Sequence, residues 1–342
     1  MVKVPKGYRS RNVQDRRGSR RSGGGFRSGG LGGSLGGGSL GGGLGGALGG
    51  AAAPRSGRRG CGGGMGLVLV VVLGLLLFSC LGNGGGLAAP DLSDDGGFSA
   101  GGVSQSNVDT SSYSADENQA FDLANAVLDD VQGFWAEQFA ATGSTYPEAG
   151  LVIFDQAVST GGCGNASSNV GPFYCPADSN AYIDIQFMFR LQAQLGAEGD
   201  FAQAYILAHE IGHHVQNVVG INQRVRQAQS GASQAEANGL NVLLELQADC
   251  LAGMWARDLQ METDAILASG DQDLINNSLL LEEGDLNEGV VAAGAVGDDA
   301  ITGSTNAENF THGTSAQRVE WFSRGFDTGD FDQCWTFPEG SI

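Results

Sequence analysis

Beyond residue 60 the chain is nearly without positive charge. Residues 1–60 hold twelve of its 18 Lys and Arg but only one of its 38 acids, Asp15. Six basic residues remain for the rest, so that part is strongly acidic and repels polyphosphates and anionic membranes. Nucleic acid is thereby excluded as its partner. Histidine is scarce too: four in 342 residues, three of them inside "YILAHEIGHHVQN", Tyr205 to Asn217. No internal repeat is evident, which removes repeat architectures. From Gly60 to Pro90 no charged residue occurs at all.

Within that uncharged stretch lies "MGLVLVVVLGLLLFSCLG", Met65 to Gly82. At ~1.5 Å per residue such a run suffices for one membrane crossing. Arg55, Arg58 and Arg59 precede it and favour a cytoplasmic N-terminus. The region before it is too long for a cleaved signal peptide. "LFSC", ending at Cys80, has the outline of a lipoprotein site, but bulky Phe78 and the long head argue against it. The expectation is a basic, Gly-rich, disordered cytoplasmic tail over 1–64 and a transmembrane helix over 65–86. A flexible linker over 87–113 and an extracytoplasmic domain over 114–342 follow. The head "RSRNVQDRRGSRR" reads as a solvated topogenic tail, with acidic lipid or nucleic acid as alternative contacts. The Gly-rich stretch 22–64 has little apolar surface to set against its entropy.

Four cysteines lie past the apolar run: Cys163, Cys175, Cys250 and Cys334. An even number there fits an oxidising compartment and two disulfides. Three pairings exist. The one expected joins Cys163 to Cys175 and Cys250 to Cys334; four free buried thiols are the alternative.

The domain reads as α+β, helix-dominated, with a small sheet. "SADENQAFDLANAVLDDVQGFWAEQF" opens on Ser-x-x-Glu and keeps its apolar residues at helical spacing. Short strands are expected at 151–156, 173–176 and 181–187, Pro176 confining the second to an edge or end. Helices are expected from Phe187 to Gly196, from Asp200 to Gly220, from about Ser233, over 271–297, and in "TSAQRVEWFSRGF". Trp135, Trp255, Trp321 and Phe322 fall at helical spacings and read as core.

His209 and His213 stand four apart on the second of those helices, so both imidazoles project from one face and can grip one ion. Zinc suits two neutral imidazoles with a position left for water. Glu210 points beside the ion and suits a general base for a water made acidic by the metal. A His-Glu-x-x-His match arises by composition in roughly two of a thousand such chains. The alternative is a pair of surface histidines. His214, one residue on, points ~100° away from His213. "LLELQADC" places Glu245 and Asp249 four apart in an apolar run, where a buried carboxylate needs a partner. Glu245 can be a third ligand, and Asp249 can accept a hydrogen bond from the free ring nitrogen of a ligating histidine. The alternative is a solvated acidic face. For an oxyanion donor His312 is the first candidate, with Arg318 and Tyr174 behind it. A loop histidine capping the next helix is the competing role for His312.

"HEIGHHVQN" followed by "ELQADCLAGMWA" resembles the gluzincin type of metallopeptidase. With "RNVQDRRG", "GPFYCPAD" and "THGTSAQRVEWFSRGF", the chain resembles the bacterial putative neutral zinc metallopeptidase family over nearly its whole length. The resemblance implies a zincin-like domain with Zn2+ held by His209, His213 and Glu245, Glu210 as base and Asp249 behind the ligands. It implies a membrane-anchored endopeptidase acting on peptide or protein substrates. In gluzincin-like folds an edge strand near the metal helix pairs with the substrate backbone. "CGNASSNVGPFYCP" is the segment for it here, a disulfide-closed hairpin being the other reading. The chain departs from the pattern in a loose, small-residue stretch over 263–309. The rival reading is a catalytically silent domain that keeps zinc as a staple and binds other envelope proteins.

Overall fold

Ser114 accepts a hydrogen bond from the Glu117 amide while Glu117 reaches back to the Ser114 amide, and this capping box starts helix α1, Ala115–Ala141. The computed structural model describes residues 2–5, 7–18, 113–195 and 199–342. Strand β1 is Val13–Asp15, and after α1 come β2 (Gly150–Phe154), β3 (Ala157–Ser159), β4 (Asn165–Ser167), β5 (Phe173–Cys175) and β6 (Asn180–Asp184). Helices α2 (Ile185–Leu195), α3 (Asp200–Val218), α4 (Ile221–Gln229) and α5 (Gln234–Ser269) follow. Then come α6 (Gln272–Asn277), α7 (Asp285–Ala295), α8 (Asp298–Thr302) and α9 (Ser315–Thr328). The architecture is helix-dominated α+β with a small sheet.

The main sheet runs β1-β2-β6-β5, with β2 parallel to both neighbours and β5 antiparallel to β6. β2 is apolar throughout because both its faces are covered. Leu151 and Ile153 face the helical core; Val152 and Phe154 face a smaller core with Cys175 and Tyr182, beside the β3–β4 hairpin. Pro176 follows β5, which is the sheet edge, as its sequence requires.

Two helix contacts fix the centre of the domain. A Cβ on Gly212 would lie 3.1 Å from the Ala248 backbone, so α3 and α5 cross closely there. On the other side of α5, side chains on Gly253 or Gly325 would overlap backbone atoms of the opposite helix, so α9 lies directly on α5. Trp135 and Trp255 are fully buried around this packing, Phe322 nearly so, while Trp321 is partly buried against it. Disulfides join Cys163 to Cys175 and Cys250 to Cys334, with Cα separations of 5.9 and 5.5 Å.

Several expectations need correction. The basic head is not a solvated tail over 2–5 and 7–18: β1 pairs with β2, Val13 opposite Leu151. The strand expected over 181–187 ends at Asp184, whose carboxylate accepts from the Gln186 and Phe187 amides and so starts α2. Gly196 lies outside the described residues. The stretch from 263 is not loose at first, since α5 continues to Ser269 and stops at Gly270, which is left-handed. The helix over 271–297 is two helices, parted where Leu280 bridges to Lys3. Among the described residues no helix is long and apolar enough to cross a membrane; the run 65–86 lies outside them.

Candidate metal centre

The capping box of Ser233 with Glu236 starts α5, and the Gly212–Ala248 crossing brings its middle against α3. His209, Glu210 and His213 of α3 thereby meet Glu245 and Asp249 of α5. Glu245 lies 3.2 Å from His209 Nε2 through one oxygen and 3.4 Å from His213 Nε2 through the other. Tetrahedral zinc with bonds of ~2.0 Å spaces its ligands ~3.3 Å apart, close to both of these separations. The three side chains form a group able to hold a metal, with ligand atoms all within 4.8 Å of one another.

The ring orientations are set from behind. His209 Nδ1 donates to Asp249 Oδ1 at 2.8 Å, and His213 Nδ1 donates to Gln216 Oε1 at 2.8 Å. Each imidazole is left with Nε2 directed at Glu245. Gln216 is held by donating to the Leu244 carbonyl and to Gln247 Oε1, and Gln247 donates in turn to the Cys334 carbonyl. The histidine's support thus runs to the Cys250–Cys334 disulfide. Asp249, fully buried, also accepts from Tyr205 Oη at 2.5 Å and from Arg318 Nε and Nη2, both at 2.8 Å.

Charge follows geometry. Burial drives His209 down, but Asp249 and Glu245 outweigh it and lift the imidazole to about 9 in the metal-free protein. Burial opposes ionisation of Glu245 too, and His213 and His209 override it, holding the carboxyl well below its usual range. Burial likewise works against the Asp249 charge, and Arg318 with His209 keeps it ionised. Glu210 goes the other way: burial raises its carboxyl against the pull of His213 and His209.

His209, Glu210, His213 and Glu245 open onto a cavity of about 310 Å³. Its walls are mainly apolar, from Val170, Phe173, Phe187, Ile206 and Ile301. His312 lines it too. Asp298 accepts from His312 Nδ1 at 3.0 Å and from the amides of Thr311, His312 and Gly313, so Nε2 is the nitrogen left for a ligand. The other two donor candidates are committed elsewhere. Arg318 is spent on Asp249 and Tyr205. Tyr174 donates its hydroxyl proton to His214 Nδ1 and accepts from Asn217. His214 donates Nε2–H to the Pro147 carbonyl at 2.6 Å, so it is a buried neutral histidine linking α3 to the loop before β2, away from the ion. Burial pulls its basicity down in keeping with that role.

Gln216, Asp298 and Tyr205 are the functional residues missed by sequence reasoning. Gln216 had a readable signal, three residues after His213 on the same helix face. Asp298 had none, since it is distant from His312 within an acidic stretch.

The model of the family described as putative neutral zinc metallopeptidase matches residues 3–337. The uncharacterized protein YpfJ of Escherichia coli K12 is 45% identical over 232 residues, 67% of this chain and 75% of that protein. The uncharacterized protein Rv2575 of Mycobacterium tuberculosis H37Rv is 39% identical over 266 residues, 72% of this chain and 85% of that protein. Mb2605 of Mycobacterium bovis, also named as uncharacterized, matches to the same extent. No solved structure matches.

Proposed function

The chain belongs to the putative neutral zinc metallopeptidase family, and from that premise we propose that it is a zinc-dependent endopeptidase, attached to a membrane through the apolar run 65–86. The observation that carries the reading is the spacing of His209 Nε2, His213 Nε2 and Glu245, 3.2 and 3.4 Å across the carboxylate, with Glu210 in the same cavity. His209, His213 and Glu245 would hold the ion. When bound, zinc supplies Lewis acidity, which acidifies water and polarises a carbonyl.

The chain's own residues do the rest. Glu210 takes the proton of the attacking water and passes it to the departing amine, from its place beside the ligands in the same cavity. His312 offers Nε2–H to the oxygen on which negative charge develops, oriented through Nδ1 by Asp298. Asp249 and Gln216 hold the two ligating rings in place. The free edge of β5 lies along the cavity through Phe173 and Tyr174, and suits an extended peptide added as a further strand. The apolar walls favour a bulky apolar side chain next to the scissile bond. The two disulfides are in keeping with a domain that works in an oxidising compartment.

A staple role for the metal is less well supported. Structural zinc usually recruits four protein ligands and has no use for a buried carboxylate in an adjoining cavity. The test is cleavage of a mixed peptide library by the full-length chain. Chelator-sensitive cleavage after or before bulky apolar residues is expected. Zinc bound one to one with no cleavage would favour the staple.

A further inference from the structure

Residues 2–5 and 7–18 complete the fold of the peptidase domain. Lys3 exchanges both backbone hydrogen bonds with Leu280, at 2.9 and 3.1 Å. Tyr8 and Ser10 donate to Asp129, Arg9 to Asp122, and Arg11 and Asn12 to Glu148. Val2 and Val13 are buried in the same core as Leu151 and Trp135. Arg17 is 3% exposed, pairs with Asp15 through Nε and Nη2 at 2.9 and 2.7 Å, and lies 4.5 Å over Phe121 and 4.2 Å over Tyr113. A guanidinium so placed is desolvated and stacked, unlike one on a solvated tail. Withdrawing the head would also strip β2 of a neighbour and expose its backbone along that edge.

The two ends of residues 19–112 therefore leave the domain at one place. A Cβ on Gly18 would lie 2.9 Å from Tyr113 Oη, and Arg17 stacks on the same ring. A segment with both ends on one domain crosses a membrane an even number of times or not at all. The sequence from Met65 to Gly82 is long enough for one crossing, roughly 27 Å if helical at ~1.5 Å per residue, and nothing else between 19 and 112 is apolar enough for a second. We infer that the basic head and the peptidase domain share one side of the membrane, and that the apolar run attaches the protein without parting them. This is incompatible with a cytoplasmic head joined to an extracytoplasmic domain, the arrangement expected from Arg55, Arg58 and Arg59. Arg9, Arg11 and Arg17 act as packing and ion-pair groups of the domain.

The test uses the full-length chain in intact cells, with Cys61→Ser and Cys80→Ser removing the two thiols of the apolar region. Single cysteines are then placed by Arg11→Cys in the head, whose side chain is 80% exposed, or by Met261→Cys in the domain, 58% exposed. Arg11 sits in an exposed ion pair of small worth, so its loss leaves the head docked. A membrane-impermeant maleimide is applied before and after permeabilisation. Equal behaviour at both positions, whether both are labelled or both protected, is the expected result. Labelling of the domain cysteine in intact cells, with loss of labelling at the head until permeabilisation, would overturn the inference.

Discussion

His209 is held between two carboxylates, and this sets the pH behaviour of the centre. Its imidazole is lifted from 6.5 to about 9 in the metal-free protein, burial opposing and Asp249 and Glu245 prevailing. The stabilisation from this pairing is complete below 6.5 and is lost as pH rises through about 9. Zinc needs the deprotonated ring, so its binding displaces a proton from His209 at any pH below about 9 and tightens as pH rises toward that value. The shift in melting temperature on adding zinc should therefore grow from pH 6.5 toward 9, read by thermal denaturation with and without the metal. A constant shift would mean that His209 is not a ligand. Arg318 makes the complementary case. It neutralises fully buried Asp249 through two hydrogen bonds. Arg318→Met removes the guanidinium and leaves Asp249 to His209 and Tyr205 alone, and breaking a buried pair costs ~3–5 kcal/mol. Melting on the order of 10 °C lower is expected by calorimetry, with weaker zinc binding because Arg318 no longer fixes the carboxylate that orients His209. Unchanged melting would remove Arg318 from the support of the site.

The centre depends on three helices meeting at small residues. Gly325 lies on the backbone of Cys250 and Met254, and α9 carries Arg318 on the same helix. Gly325→Ala forces the two helices apart, an overpacking cost of ~1–3 kcal/mol or more. Both melting temperature and zinc affinity should fall, although the residue lies outside the cavity; a drop in stability alone would mean that Arg318 does not follow α9. The long elements were legible in the sequence because their signals are local. Ser114 and Ser233 with glutamates three residues on, and the i, i+4 pairs His209–His213 and Glu245–Asp249, need no knowledge of the rest of the fold. β1 was not legible. It is three residues long, lies among arginines, and exists because β2 has an open side. The partners of the site split the same way. Gln216 follows His213 on one helix, whereas Asp298 and Arg318 arrive through tertiary packing.

Across the whole molecule, the head, the metal helices and the C-terminal segment form one unit. The Cys250–Cys334 disulfide closes 84 residues, for which chain entropy gives about 4–5 kcal/mol. It stands next to Asp249, and the Cys334 carbonyl anchors Gln247 and through it Gln216. Reduction, or Cys250→Ala with Cys334→Ala, should lower the melting temperature and weaken zinc binding together, as read by calorimetry and metal titration. Retained zinc affinity after reduction would show that the Gln216–Gln247 chain holds without it. The account as a whole rests on Glu210 acting as a base beside the ion. Glu210→Gln leaves His209, His213 and Glu245 in place, so it should bind zinc one to one like the parent. Loss of that proton transfer lowers rates by ~10²–10⁴. The most direct measurement is single-turnover cleavage of one peptide by the full-length parent and this variant at matched zinc content. A loss of that size in the variant is the expected result; cleavage at the parent's rate would contradict the account.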